Sequence, residues 1–129
     1  MTSVKGCVFC EMPEDKKILR EELIFACLDK YPVAPGHTLI VTKRHVANWF
    51  EASKEERRAI DNAILALKEM LDREHRPDGY NIGVNIGRAS GQTIDHLHVH
   101  LIPRYKGDVY DPWGGVRGVI PEKRLYPKG

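Results

Sequence analysis

The stretch Asp95-His96-Leu97-His98-Val99-His100-Leu101-Ile102 decides how this chain is read. Three of the six histidines fall in it, at a strict period of two. A β-strand sends alternate side chains to opposite faces, so this period predicts an imidazole row on one face and Leu97, Val99 and Leu101 on the other. Imidazoles about 7 Å apart along a strand suit metal binding, phosphate binding or nucleophilic chemistry. Gly91-Gln92-Thr93 precedes the run and Pro103-Arg104 follows it, which places the strand over Ile94 to Pro103.

Outward from that strand, Tyr80 to Ile86 reads as its antiparallel neighbour across the loop Gly87-Arg88-Ala89-Ser90-Gly91. Ser53 with Glu56 forms a capping box. It opens a long helix to about His75, where the imidazole offsets the helix dipole and Pro77-Asp78-Gly79 stops the run. Ile60, Ile64, Leu67 and Leu71 make the stripe that packs on the sheet. Upstream, Ile18 to Glu21, Leu23 to Leu28 and His37 to Thr42 read as strands, the last set off by Pro32, Pro35 and Gly36. A short helical turn is expected over Val46 to Phe50. The elements sum to an α+β domain, an antiparallel five-stranded sheet with one long and one short helix. Ala59, Ala63, Ala66 and Met70 lie beyond the main stripe and predict close approach of a second copy's helix.

At 129 residues and 42% hydrophobic content, residues 1–129 are expected to form a single domain with a modest core. From Gly107 onward the glycine- and proline-rich tail predicts extended, irregular structure. Twenty basic against 18 acidic residues leave a net charge of +2, so no strong field calls for nucleic acid or an anionic membrane. No apolar run has membrane-spanning length, and Met1 to Gly6 lacks a secretory signal, so a cytoplasmic location is expected. Cys7, Cys10 and Cys27 are an odd set, which argues against a disulfide scaffold. Cys7-Val8-Phe9-Cys10 reads as a metal half-site, a redox pair or two buried thiols.

His96-Leu97-His98-Val99-His100-Leu101-Ile102 matches the His-φ-His-φ-His-φ-φ motif (φ apolar), and the chain resembles the histidine triad (HIT) family, especially its bacterial Hint-like and Fhit-like members. Pro35-Gly36-His37-Thr38-Leu39-Ile40-Val41 and Gly91-Gln92-Thr93 are similar to that family's flanking segments, and the likeness spans about residues 7 to 108. It implies a nucleotidyl hydrolase or transferase that cleaves at the α-phosphate of purine nucleotides through a nucleotidyl-histidine intermediate. The leaving group would be an amine or a second nucleotide. A neutral imidazole is a competent nucleophile near neutral pH, and charge developing on the phosphoryl oxygens calls for converging donors.

By motif position the resemblance makes His98 the nucleophile, His100 a phosphate-contacting donor or acid, and His37 a fourth imidazole. It assigns Asn85 and Gln92 to substrate phosphates or ribose, Thr93 to the scissile region and Asp29 to the ribose hydroxyls. Hint-like relatives also show a Cys-x-x-Cys start and a Lys-x-His segment, here Lys43-Arg44-His45. The resemblance therefore implies one structural zinc on Cys7, Cys10, His45 and His96. It further implies a homodimer whose sheets join. A dinucleoside polyphosphate phosphorylase and a non-catalytic, zinc-stabilised nucleotide-binding module are the other readings. A uridylyltransferase is disfavoured, because those relatives carry glutamine at the position of His100. The tail Asp111 to Pro121 departs from the better-known branches; in it Arg117 could approach an anion and Trp113 could stack on a base or a partner.

Overall fold

The computed structural model describes residues 3–127. Strands β1 (Lys17–Arg20), β2 (Ile24–Leu28), β3 (Thr38–Thr42), β4 (Gly79–Gly83) and β5 (His98–Arg104) form one sheet in the order β1-β2-β3-β5-β4. Every neighbouring pair is antiparallel, so the last strand in sequence lies between β3 and β4. One long helix, α1 (Lys54–His75), packs across the sheet. Its capping box forms as expected: Ser53 Oγ accepts from Glu56 N at 3.0 Å and Ser53 N donates to Glu56 Oε1 at 2.8 Å. The expected short helix at Val46 to Phe50 is only a single 3-10 turn at Trp49–Glu51, capped by Asn48.

The two faces of the sheet carry different chemistry. Ile24, Ala26, Ile40, Val99 and Leu101 point to α1 and meet Ile60, Ala63, Leu67 and Leu71. Phe25, Cys27, Leu39 and Val41 occupy the opposite face under Phe9. The β3–β5 register sets Leu39 beside His100 and Val41 beside His98. The imidazoles therefore stand on the face that the helix leaves open.

Two expectations are corrected here. β5 begins at His98, so His96 precedes the strand ladder instead of belonging to it. The preceding backbone answers to loop partners: Leu97 N donates to Val46 O at 2.8 Å, and the Gln92 carboxamide donates to Ala47 O and Ile94 O. Ala63 is 1% exposed inside the core and Ala59 and Met70 pack against that core. Those three serve the sheet, which leaves only Ala66 of the expected four exposed on the helix.

The tail also differs from an extended segment. It folds into two short 3-10 turns, Gly115–Val119 and Pro121–Lys123. Arg117 donates to Arg124 O and Lys123 O, and Arg124 donates to the carbonyls of Asp111 and Trp113. Gly114 holds the left-handed conformation (φ 93°), and a Cβ there would collide with the Arg124 carbonyl. Arg117 stacks on Tyr126 with its guanidinium spent on carbonyls, so it is not set to meet an anion. Among the described residues no helix is long and apolar enough to cross a membrane.

Candidate active site and metal centre

Four ligand-bearing side chains converge at one end of the triad. Cys7, Cys10, His45 and His96 present ligand atoms that all lie within 4.8 Å of one another. Cys7 Sγ is 3.3 Å from His96 Nδ1, and Cys10 Sγ lies 3.3 Å from His45 Nδ1 and 3.5 Å from His96 Nδ1. A tetrahedral zinc with sulfur at about 2.3 Å and nitrogen at about 2.0–2.1 Å has S···N edges of about 3.5 Å, so the spacing fits. The tautomer fits as well. His96 Nε2 lies 2.7 Å from Thr42 O, a pure acceptor, so Nε2 carries the proton and Nδ1 faces the sulfurs bare. Burial lowers the His96 pKa and raises that of the Cys10 thiol. His96 is thus neutral, as a ligand must be, and metal binding has to displace the Cys10 proton.

His98 adjoins this set through two contacts. Its Nδ1 donates to His96 O at 2.8 Å, which leaves Nε2 with a free lone pair. Phe9, held between the two cysteines, lies 5.0 Å from the His98 ring and 5.6 Å from the His96 ring. The cysteine knuckle thereby seats an apolar side chain against both imidazoles. The sequence analysis gave Phe9 no role; it meets the histidines because the knuckle folds across the sheet.

A second group lies on the far side of His98. His37 Nε2 is 2.9 Å from His100 Nδ1 and 3.4 Å from Asp29 Oδ2. Burial lowers the His37 pKa against the opposing pull of Asp29. Burial, with His98 and His37 nearby, depresses His100 to about 4. At neutral pH both rings are therefore uncharged. Gly36, just before His37, lets the chain run close against α1. At φ 87° it passes so close to α1 that a Cβ would lie 3.1 Å from Leu71 and 3.0 Å from His75.

The remaining expected residues fare differently. Asp29 is half-buried beside His37, with Oδ1 accepting from Tyr31 N at 2.8 Å. Gln92 is 5% exposed and its carboxamide is spent on Gly87 N, Ala47 O and Ile94 O, so it braces the loop and offers nothing to a ligand in this conformation. Asn85 and Thr93 are exposed, and neither side chain bonds to the histidines. The pairing of Arg44 with Glu56 went unnoticed in the sequence. Their 2.7 Å ion pair ties the end of β3, next to His45, to the start of α1. Burial alone would raise the Glu56 carboxyl, but Arg44 and Ser53 bring it below its ordinary value.

A family model described as HIT domain matches residues 11–107. The chain belongs to the HIT family. It is 35% identical to a Sulfolobus tokodaii protein described as a hypothetical histidine triad nucleotide-binding protein, over 78% of this chain and 70% of that one, with a TM-score of 0.73. A Zn-bound histidine triad family protein from Mycobacterium smegmatis is 30% identical, covers 82% and 80% of the two chains and has a TM-score of 0.73. An AP-4-A phosphorylase of Mycobacterium tuberculosis is 32% identical over 78% of this chain, which spans 54% of that relative. HIT-family membership makes this a nucleotide-binding, hydrolase-type protein, and its Cys7, Cys10, His45 and His96 cluster is compatible with zinc.

Proposed function

We propose that this HIT protein is a nucleotidyl hydrolase or transferase that cleaves at the α-phosphate of purine nucleotides through a covalent intermediate on His98. The observation that carries the reading is the His98 hydrogen bond to His96 O, which leaves the Nε2 lone pair bare beside a neutral donor at His100. In the first step Nε2 forms a bond to the α-phosphorus, and the bond to the leaving amine or phosphate breaks with its electron pair. An amine takes up a proton from solvent as it departs, the proton that the attacking water returns in the second step. In the second step water attacks the same phosphorus, loses a proton, and the P–N bond returns its electron pair to His98. Inorganic phosphate in place of water would give a phosphorylase outcome. Asp29 is the group in this set that suits two vicinal ribose hydroxyls, since a carboxylate accepts from both. Asn85 and Thr93 would meet substrate only from the exposed rim.

Cys7, Cys10, His45 and His96 would hold one structural zinc per chain, in the cytoplasm, where thiols stay reduced. A homodimer would join copies through the β4 edge instead of the α1 alanines. Ile82 is 50% exposed on that edge strand, in a largely apolar groove of about 190 Å³ lined also by Trp49, Ile60, Asp61, Ile64, Val84 and Val99. Ile82→Asp should then reduce a double sedimentation mass to a single one, and a single mass for the parent chain would refute the dimer. For activity, the deciding measurement is a panel of adenosine phosphoramidates and diadenosine polyphosphates, with mass spectrometry of the rapidly quenched protein. A nucleotidyl adduct on His98 supports the reading; turnover without any adduct overturns the intermediate. Binding without turnover would favour the nucleotide-binding module.

A further inference from the structure

We propose that His37 is a positioning residue: the Val33 amide locks it in the tautomer with its proton on Nε2, from which it donates to His100 Nδ1 and so holds the His100 proton on the opposite nitrogen. Val33 N lies 3.1 Å from His37 Nδ1. A backbone amide has only a hydrogen to offer, so Nδ1 accepts, and a neutral imidazole must then keep its single proton on Nε2. Two acceptors compete for that proton. His100 Nδ1 at 2.9 Å is at ordinary hydrogen-bond length, whereas Asp29 Oδ2 at 3.4 Å is beyond it. His100 Nδ1 therefore accepts, and the His100 ring keeps its proton on Nε2 as a donor to a phosphoryl oxygen.

The loop is built to hold the amide in place. Asp29 N donates to His37 O at 2.9 Å, His37 N donates to Ala34 O at 3.1 Å, and Pro32 and Pro35 flank Val33 and Ala34. His37 itself is 3% exposed. It thus acts on a substrate through His100 and does not touch it.

The same three side chains could be taken for a metal site, because Asp29, His37 and His100 offer ligand atoms within 4.8 Å of one another. The Val33 amide argues against that. A metal on His37 Nε2 would push the proton to Nδ1, where it would face another N–H. His96 is arranged the opposite way, with a carbonyl taking its proton and a bare nitrogen aimed at the sulfurs.

The test uses the zinc-loaded full chain with ¹⁵N-labelled histidine at pH 7. Long-range ring spectra should show His37 and His100 each with a bare Nδ1 and a protonated Nε2, and a through-hydrogen-bond coupling between His37 Nε2 and His100 Nδ1. A second equivalent of zinc should leave both rings unchanged. A proton on His37 Nδ1 overturns the proposal, and so does loss of the coupling on adding that zinc, which would identify a metal site. A kinetic arm, which rests on the nucleotidyl-transfer reading, compares His37→Ala with His37→Gln, whose amide can still donate. Alanine should lower kcat roughly tenfold, less than the ~100-fold for losing a donor that touches the oxyanion directly, with KM held within about twofold. Glutamine should recover most of the rate. A raised KM with unchanged kcat means that His37 binds substrate itself and refutes the positioning role. If the parent chain turns over no nucleotide, the spectra still decide the tautomers, so the two proposals fail separately.

Discussion

His96 and His37 lie at opposite ends of the His98–His100 pair and use opposite ring nitrogens. His96 donates from Nε2 to Thr42 O and presents the Nδ1 lone pair to Cys7 and Cys10. His37 has its lone pair taken by Val33 N and presents a proton to His100. One ring is prepared for a cation and the other for a chain of hydrogen bonds. A single backbone partner, carbonyl in one case and amide in the other, separates the two roles. It follows that the metal group should govern stability and the Asp29–His37–His100 group should govern turnover.

The sharpest separation comes from the residue between them. His98→Ala should lower kcat by at least about 1,000-fold while a nucleoside monophosphate still binds, because the lost bond forms only on the reaction path. Near-normal turnover by that variant would break the scheme. Next in size, Cys10→Ser should abolish the expected one zinc per chain and drop Tm by more than about 10 °C, since a closed metal site contributes folding free energy. Turnover per folded molecule should fall far less, and calorimetry with metal analysis checks both.

Acid should erode the comparison from the other side. His100 falls from an ordinary 6.5 to about 4 in the folded chain, and His37 and His96 shift the same way. Between those values the unfolded chain binds more protons, so stability is complete above pH 6.5 and is lost as pH falls toward 4. A Tm that stays flat from about pH 7 to pH 5 would contradict that sign. The smallest expected effect concerns the thiols. Burial raises Cys27 to about 11, so it should resist alkylation in the folded chain. Cys7 and Cys10 should be labelled only after a chelator removes metal, and mass spectrometry counts the labels.

Local pattern made much of this molecule legible. The capping box, the Ile60–Leu71 stripe and the alternation after His98 each rest on contacts within a turn or along a strand. The triad motif pointed to His98 and His100 for the same reason. Where the sequence was silent, a distant partner had decided. Ala63 looked spare on the helix but fills the core beneath the sheet. Gln92 looked like a ligand contact, yet its amide was claimed by Ala47, far off in sequence. Arg117 was expected to reach an anion from an extended, irregular tail and is bound to carbonyls that the 3-10 turns bring round.

By itself, then, the sequence determined the family, the strand and helix pattern, the residue types at the two clusters and the identity of the central histidine, because these follow from periodicity and motif spacing. Only the tertiary structure decided which nitrogen of each imidazole is available. That choice depends on whether a backbone carbonyl or amide from another segment meets the ring, and hydrogen-bond partners of that kind leave no mark in the order of residues.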